Sequence, residues 1–156
     1  MAGEPSPVYH SSATGGFSAA VSEDPRRIFA RKIEHRVAVR FTPTPCVIET
    51  AEGRVHAKPG DAILTGVAGE QWRVSRARFA QKYRPLPPTM PGEPGVYMSL
   101  PNRVLALKIA QPFEVVLADG VSRLHGRAGD WLVDYGDGSL GVVASAIFDQ
   151  TYEILP

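Results

Sequence analysis

The chain has a single cysteine, Cys46, so an intrachain disulfide is excluded. It has no apolar run near the roughly 20 residues that a membrane-crossing helix requires. It also lacks an excess of either charge. Seventeen Lys and Arg stand against sixteen Asp and Glu, a net +1, so the chain as a whole has no pull toward nucleic acid or an anionic membrane. The opening Met1-Ala2-Gly3-Glu4-Pro5 has neither the basic nor the apolar stretch of a secretion signal. These absences lead to the expectation of a cytoplasmic protein without membrane attachment. Frames for chemistry are missing too. No catalytic or cofactor motif rises above background, and His10, His35, His56 and His125 do not fall at metal-ligand spacing, so neither metal nor cofactor is expected.

Glycine (15) and proline (14) are plentiful, and 44% of residues are hydrophobic. That composition supports a packed core built from short elements and many turns. An eight-residue stretch occurs twice: Arg54-Val55-His56-Ala57-Lys58-Pro59-Gly60-Asp61 returns as Arg123-Leu124-His125-Gly126-Arg127-Ala128-Gly129-Asp130. Phe79, Gln81, Tyr83 and Leu86-Pro87 then recur as Phe148, Gln150, Tyr152 and Leu155-Pro156. On that spacing Val115 takes the place of Cys46, which reads as a small core residue.

The pattern divides the chain. Residues 1–24 are rich in Ser, Gly, Ala and Pro and read as a flexible N-terminal arm. Asp24-Pro25 has the chemistry of a helix start, with Ile28, Phe29 and Ile33 on one face. Residues 25–87 form a first β repeat. Val37, Val39 and Phe41 alternate with Ala38 and Arg40, as in a half-buried strand. Lys58-Pro59-Gly60-Asp61 has the chemistry of a type II turn. A short helical turn then sets Phe79 into the core. Residues 88–101 are a Pro/Gly-rich linker, and 102–156 repeat the plan, with hairpin signals at Asp119-Gly120 and Asp137-Gly138. The fold class expected is all-β: two homologous halves of short antiparallel strands packed as a pseudo-two-fold pair, each with one helical turn.

The frame Lys58-Pro59-Gly60-Asp61-Ala62-Ile63-Leu64-Thr65-Gly66-Val67-Ala68-Gly69-Glu70, followed by Phe79 and Tyr83, resembles a bacterial and phage module named PGDYG. Ala128-Gly129-Asp130-Trp131-Leu132-Val133, with Phe148 to Glu153, is similar to it as well. The resemblance implies a tandem duplication. It implies no catalytic residue, because the module has no assigned activity.

Two constellations stand out. His56 with Asp61, and His125 with Asp130, are the candidate catalytic pairs, since a carboxylate can orient an imidazole for acid–base work. The same aspartates, placed after Gly, suit the capping of turn amides. The second constellation is basic. Residues 28–87 hold eleven Lys and Arg against five Asp and Glu (+6), whereas 102–156 hold four against seven (−3). Trp72, Arg73, Arg76, Arg78 and Lys82 cluster in sequence and are the candidate ligand-binding residues. Asp134, Tyr135 and Asp137 suggest an acidic rim. The leading expectation is a non-catalytic binding or interaction module for an acidic or phosphate-bearing ligand or a protein partner. The alternatives are a small hydrolase or transferase using a His/Asp pair, and an assembly component reaching a neighbour through its N-terminal arm. Among partners, a second copy, another protein, a small anionic ligand and nucleic acid all stay open.

Overall fold

A computed structural model describes residues 6–13 and 15–156. In chain order the elements begin with β1 (Val8–His10), α1 (Ala19–Ser22) and β2 (Ile28–Lys32). Next come β3 (Arg36–Phe41), β4 (Cys46–Thr50), β5 (Gly53–Ala57), β6 (Ala62–Thr65), β7 (Gln71–Val74), α2 (Arg76–Lys82) and β8 (Tyr83–Pro85). The last series is β9 (Gly95–Ser99), β10 (Arg103–Lys108), β11 (Phe113–Val116), β12 (Arg123–Gly126), β13 (Trp131–Asp134), β14 (Leu140–Val143), α3 (Ser145–Thr151) and β15 (Tyr152–Ile154). The fold is all-β, as the alternating patterns predict.

The chain divides into two units, a continuous one of residues 32–102 and a split one of residues 1–31 with 103–156. The continuous unit holds a sheet ordered β7-β6-β3-β9-β8 and a separate hairpin, β4-β5. The split unit holds a sheet ordered β14-β13-β10-β2-β15 and a three-stranded sheet, β1-β11-β12. In each, the strand next to the centre is not the one that a simple repeat would use. β2 precedes β3 in the chain but pairs with β10, and β9 precedes β10 but pairs with β3. A local reason is at hand. The connections 33–35 and 100–102 contain no glycine, and no residue in them has a positive φ, so neither can make the tight reversal of a hairpin.

This exchange moves the boundaries. The expected repeat of 25–87 gives up β2, and the expected linker of 88–101 contributes β9, whose Tyr97 is buried in the continuous unit's core. The expected helix after Asp24-Pro25 is instead a turn followed by strand β2. The Asp24 carboxylate accepts the Arg26 N–H at 2.8 Å and Arg27 N–H reaches Asp24 O at 3.1 Å, closing the turn. Ala30 then faces inward and is wholly buried, flanked by Arg103-to-Arg31 and Leu105-to-Phe29 pairings. The N-terminal arm, expected over residues 1–24, lies outside the described residues at 1–5 and 14. Elsewhere it is part of the fold. β1 runs parallel to β11, Ser18 N–H donates to Asp134 Oδ2 at 2.7 Å, and Val21 is fully buried. Composition pointed to an arm because it counts large apolar groups, whereas here Val21, Tyr9 against Phe113, and hydrogen bonds through Ser11 and Asp134 hold the segment.

Each five-stranded sheet carries a seven-residue helix on one face. Helices this short gain too little from their own hydrogen bonds to stand alone, and their aromatic residues anchor them. Phe79 of α2 stacks on Tyr83 (5.1 Å) and meets Phe41 and Tyr97 edge-on, over Val37, Val39 and Leu64. Phe148 of α3 stacks between Trp131 (4.1 Å) and Tyr152 (4.8 Å), over Val104 and Val133.

The hairpins correct the residue matching. Cys46 pairs with Ala57 where Phe113 pairs with Gly126, so Cys46 corresponds to Phe113, and Val115 corresponds to Ile48. Four residues separate the paired Glu49 and Arg54, and six separate Val116 and Arg123, so the offset changes within the hairpin loop. Cys46 is half-buried rather than part of the core. The two pairs compensate in volume: a Cβ on Gly126 would lie 2.2 Å from the Phe113 ring. Among the described residues, no helix is long and apolar enough to cross a membrane.

Candidate functional site

The two Pro-Gly-Asp-type turns have the same internal chemistry. Gly60 and Gly129 adopt φ of +88° and +93°, which a side chain would disfavour, and Asp61 and Asp130 N–H return to Lys58 and Arg127 O at 3.0 Å. Each aspartate then accepts a turn amide with its own side chain. Lys58 N–H donates to Asp61 Oδ2 at 2.8 Å, and Arg127 N–H donates to Asp130 Oδ2 at 3.0 Å. Both candidate orienting carboxylates are therefore engaged by the turns that carry them. His56 points outward between buried Val55 and Ala57, and His125 Nδ1 lies 3.1 Å from Glu114 rather than on Asp130. Among the described residues no cluster of His, Cys, Asp and Glu could hold a metal ion.

The basic cluster seen in sequence does not make one face. Strand alternation sends Trp72 and Arg73 to opposite sides of β7. Trp72 packs on the aromatic core, and Lys32 Nζ sits 5.4 Å from its ring. Arg73, only 21% exposed, donates to Asp61 Oδ2 at 2.6 Å and closes an ion pair with a buried carboxylate. Arg76 lies with its guanidinium carbon 5.4 Å from the Phe41 ring. Arg78 and Lys82 are half-buried on α2. The expected acidic rim is also divided, because Asp134 is fully buried and accepts the Ser18 and Gly136 amides. Burial pushes its carboxyl above the usual range, and those two amides oppose the shift.

A different set of cations shares a surface. On the sheet face opposite α2, Arg36 and Arg84 flank Met98 in register across β3, β9 and β8, and Arg40 follows on β3. Strands lie about 4.8 Å apart and residues rise about 3.3 Å each, so Arg84 and Arg40 stand roughly 10 and 13 Å from Arg36. Between them lie exposed Ala38 and Val96, the latter 42% exposed. Among the described residues Arg36, Arg40 and Arg84 form no ion pair. Beside Arg36 opens a cleft of about 350 Å³ lined by Leu86, Pro87, Pro88, Thr89 and Val96. The arrangement can hold an anion against an apolar floor. Among the described residues that line the cleft there is no histidine, cysteine or carboxylate.

The split unit's matching positions are engaged or covered. Arg103, which corresponds to Arg36, stacks 4.3 Å over Phe29, and Arg31 pairs with Glu153 at 2.6 Å. Leu105 and Leu107, which correspond to Ala38 and Arg40 in register, are buried. The sequence groups Arg84 with the basic run from Arg73 to Lys82 and gives no sign of its pairing with Arg36, which is far away in the chain. The signal that could have found the face was the outward set of β3, Arg36-Ala38-Arg40, against Arg103-Leu105-Leu107 in the second series.

The continuous unit also holds a histidine network. The His35 Nδ1 is 2.9 Å from Ile33 O and 3.0 Å from Ser99 Oγ, and the His35 N–H donates to the same hydroxyl. Burial lowers its pKa below the usual value of 6.5, against a smaller opposing effect of the Ile33 carbonyl. The contacts are those of a clamp between the 33–35 connection and β9.

Comparison with known proteins gives one match. No curated protein and no solved structure matches the chain. The model of the family described as PGDYG protein matches residues 53–153, more than half of the chain and including both turns. The chain therefore belongs to the PGDYG protein family.

Proposed function

We propose that the protein is a non-catalytic binding module that recognises an anionic ligand through the Arg36, Arg40 and Arg84 face of its continuous unit. The observation that carries this reading is three arginines on one sheet face without carboxylate partners. An arginine that has formed no ion pair keeps its donors for a carboxylate or a phosphate, with bidentate geometry available to either. The adjacent apolar cleft supplies contact area that a flat charged surface lacks. The charge balance supports the choice of unit. Residues 32–102 hold ten Lys and Arg against six Asp and Glu (+4), and the remainder holds seven against ten (−3).

The test is a titration of the isotope-labelled full chain with inorganic tripolyphosphate, followed by NMR. Amide shifts concentrated on β3, β8 and β9, weakened by salt and by Arg36→Ala, are expected. Shifts confined to α2, or a response insensitive to all three arginines, would overturn the reading.

A further inference from the structure

The split unit contains its own worked example of how such a face is filled. Its N-terminal segment meets the unit's two sheets at four points. β1 lies beside β11, and the Ser11 hydroxyl bonds Leu140 N–H at 2.9 Å. Ser18 N–H meets Asp134, and Val21 packs with Leu105 and Leu107. Register assigns each point a counterpart in the continuous unit. β11 corresponds to β4, Leu140 to Gln71, Asp134 to Thr65, and Leu105 with Leu107 to Ala38 with Arg40.

Those counterparts form an open track. Among the described residues β4 pairs with no strand but β5. Gln71, Ala38 and Arg40 are exposed, and Thr65 is half-buried. The track is more polar than its counterpart, with Gln71 in place of Leu140, and Thr65 stands where the split unit has Asp134. Where Val21 meets two leucines, the track offers a small residue and an arginine, with Arg36 beside them.

Resting on the function proposed above, we infer that the track receives an extended segment of a partner protein carrying acidic side chains. The segment lies on this face as the N-terminal segment lies on the split unit. Its backbone takes the polar positions at the β4 edge, Gln71 and Thr65, in the manner of strand addition. Its acidic side chains meet Arg40 and Arg36, where an apolar residue would leave two guanidiniums covered and unpaired.

The experiment uses the full chain and a fluorescein-labelled octapeptide of alternating Glu and Val, with the Lys–Val octapeptide as control and tripolyphosphate as a small-anion probe. Anisotropy is expected to report binding of the acidic peptide only, weakened at least tenfold by Arg40→Ala and left unchanged by Arg76→Ala. NMR shifts are expected at Ala38, Thr65 and Gln71. The double variant Ala38→Leu/Arg40→Leu is expected to lose the acidic peptide and to gain binding of a peptide of residues 6–24. Circular dichroism checks that each variant is folded, and both substituted side chains are exposed in the native state. Tripolyphosphate binding without peptide binding would overturn this inference and leave the function above standing. Failure of both probes would overturn both. Arg40-dependent self-association in sedimentation would make the occupant a second copy and overturn the partner assigned here.

Discussion

The continuous and split units share a five-stranded sheet, a helix on one face and a Pro-Gly-Asp-type turn, and they differ in what lies on the other face. In the split unit, nine buried residues from Val21 to Val142 fill that side under a three-stranded sheet. In the continuous unit, among the described residues, a two-stranded hairpin takes that place, with Ile48, Val55, Ala57 and Ile63 buried. One architecture therefore carries one covered face and one open one. The difference is made by a few positions, Leu105 against Ala38 and Leu107 against Arg40. It teaches that the proposed binding surface lies where the two units diverge, whereas the turn they share caps its own amides in both.

The strongest way to break this comparison is to exchange those residues. Leu107→Arg places an unpaired charge in a filled core and should cost more than about 4 kcal/mol, unfolding the split unit. Arg40→Leu, on an exposed strand position, should change stability by less than about 0.5 kcal/mol. Urea denaturation read by NMR on each unit measures both, and similar costs would mean that the two faces are not in different states.

The helix-bearing faces should instead behave alike. Phe79→Ala and Phe148→Ala should each cost about 3–5 kcal/mol, because both side chains are buried in stacked aromatic clusters. A large cost for one and a small cost for the other in thermal melts would refute the equivalence.

The two turn aspartates sharpen the contrast. Asp61→Ala removes an amide acceptor and leaves the mostly buried Arg73 unpaired, for about 2–3 kcal/mol after allowing for the partial exposure of that arginine. Asp130→Ala removes only the amide acceptor, for about 1 kcal/mol. Val142 pairs with Leu132 where Arg73 pairs with Ile63, so the split unit has no cation to strand there. Equal denaturation midpoints for the two variants would show that the Arg73 ion pair contributes nothing.

The smallest effect concerns pH. Burial lowers the His35 pKa, so the unfolded chain takes up the proton first. Its contribution to stability is complete above the ordinary value of 6.5 and is lost as pH falls from there through the lowered folded value. Urea midpoints should therefore drop between neutral and mildly acidic pH in the wild-type chain. The drop should be smaller in His35→Asn, which installs the residue found at the matching connection, Asn102. An unchanged slope in the variant would remove His35 as its cause.

Much of the fold was legible in advance, for reasons that can be named. The alternation of Val37 and Val39 with Ala38 and Arg40 has period two, and it set the inner and outer faces of β3 correctly. Gly60 and Gly129 marked positive-φ turns because only glycine occupies that region at little cost. The recurrence of Phe79 and Tyr83 as Phe148 and Tyr152 located both helical anchors. The helix expected after Asp24 failed because Asp-Pro chemistry suits a turn as well as a helix start. The residues from Trp72 to Lys82 do not share one face, because Trp72 and Arg73 are neighbours on a strand and point opposite ways.

By itself, the sequence determined the strand-rich class, the turn chemistry, the family and which residues of β3 share a face. All of these follow from local sterics and a two-residue period. Only the tertiary structure decided that β2 joins β10 while β9 joins β3, that Val21 covers Leu105 and Leu107, and that Arg36, Arg40 and Arg84 share an open face. A strand's hydrogen-bonding edges are alike whatever its side chains, so its partner is chosen by contacts between residues far apart in the chain.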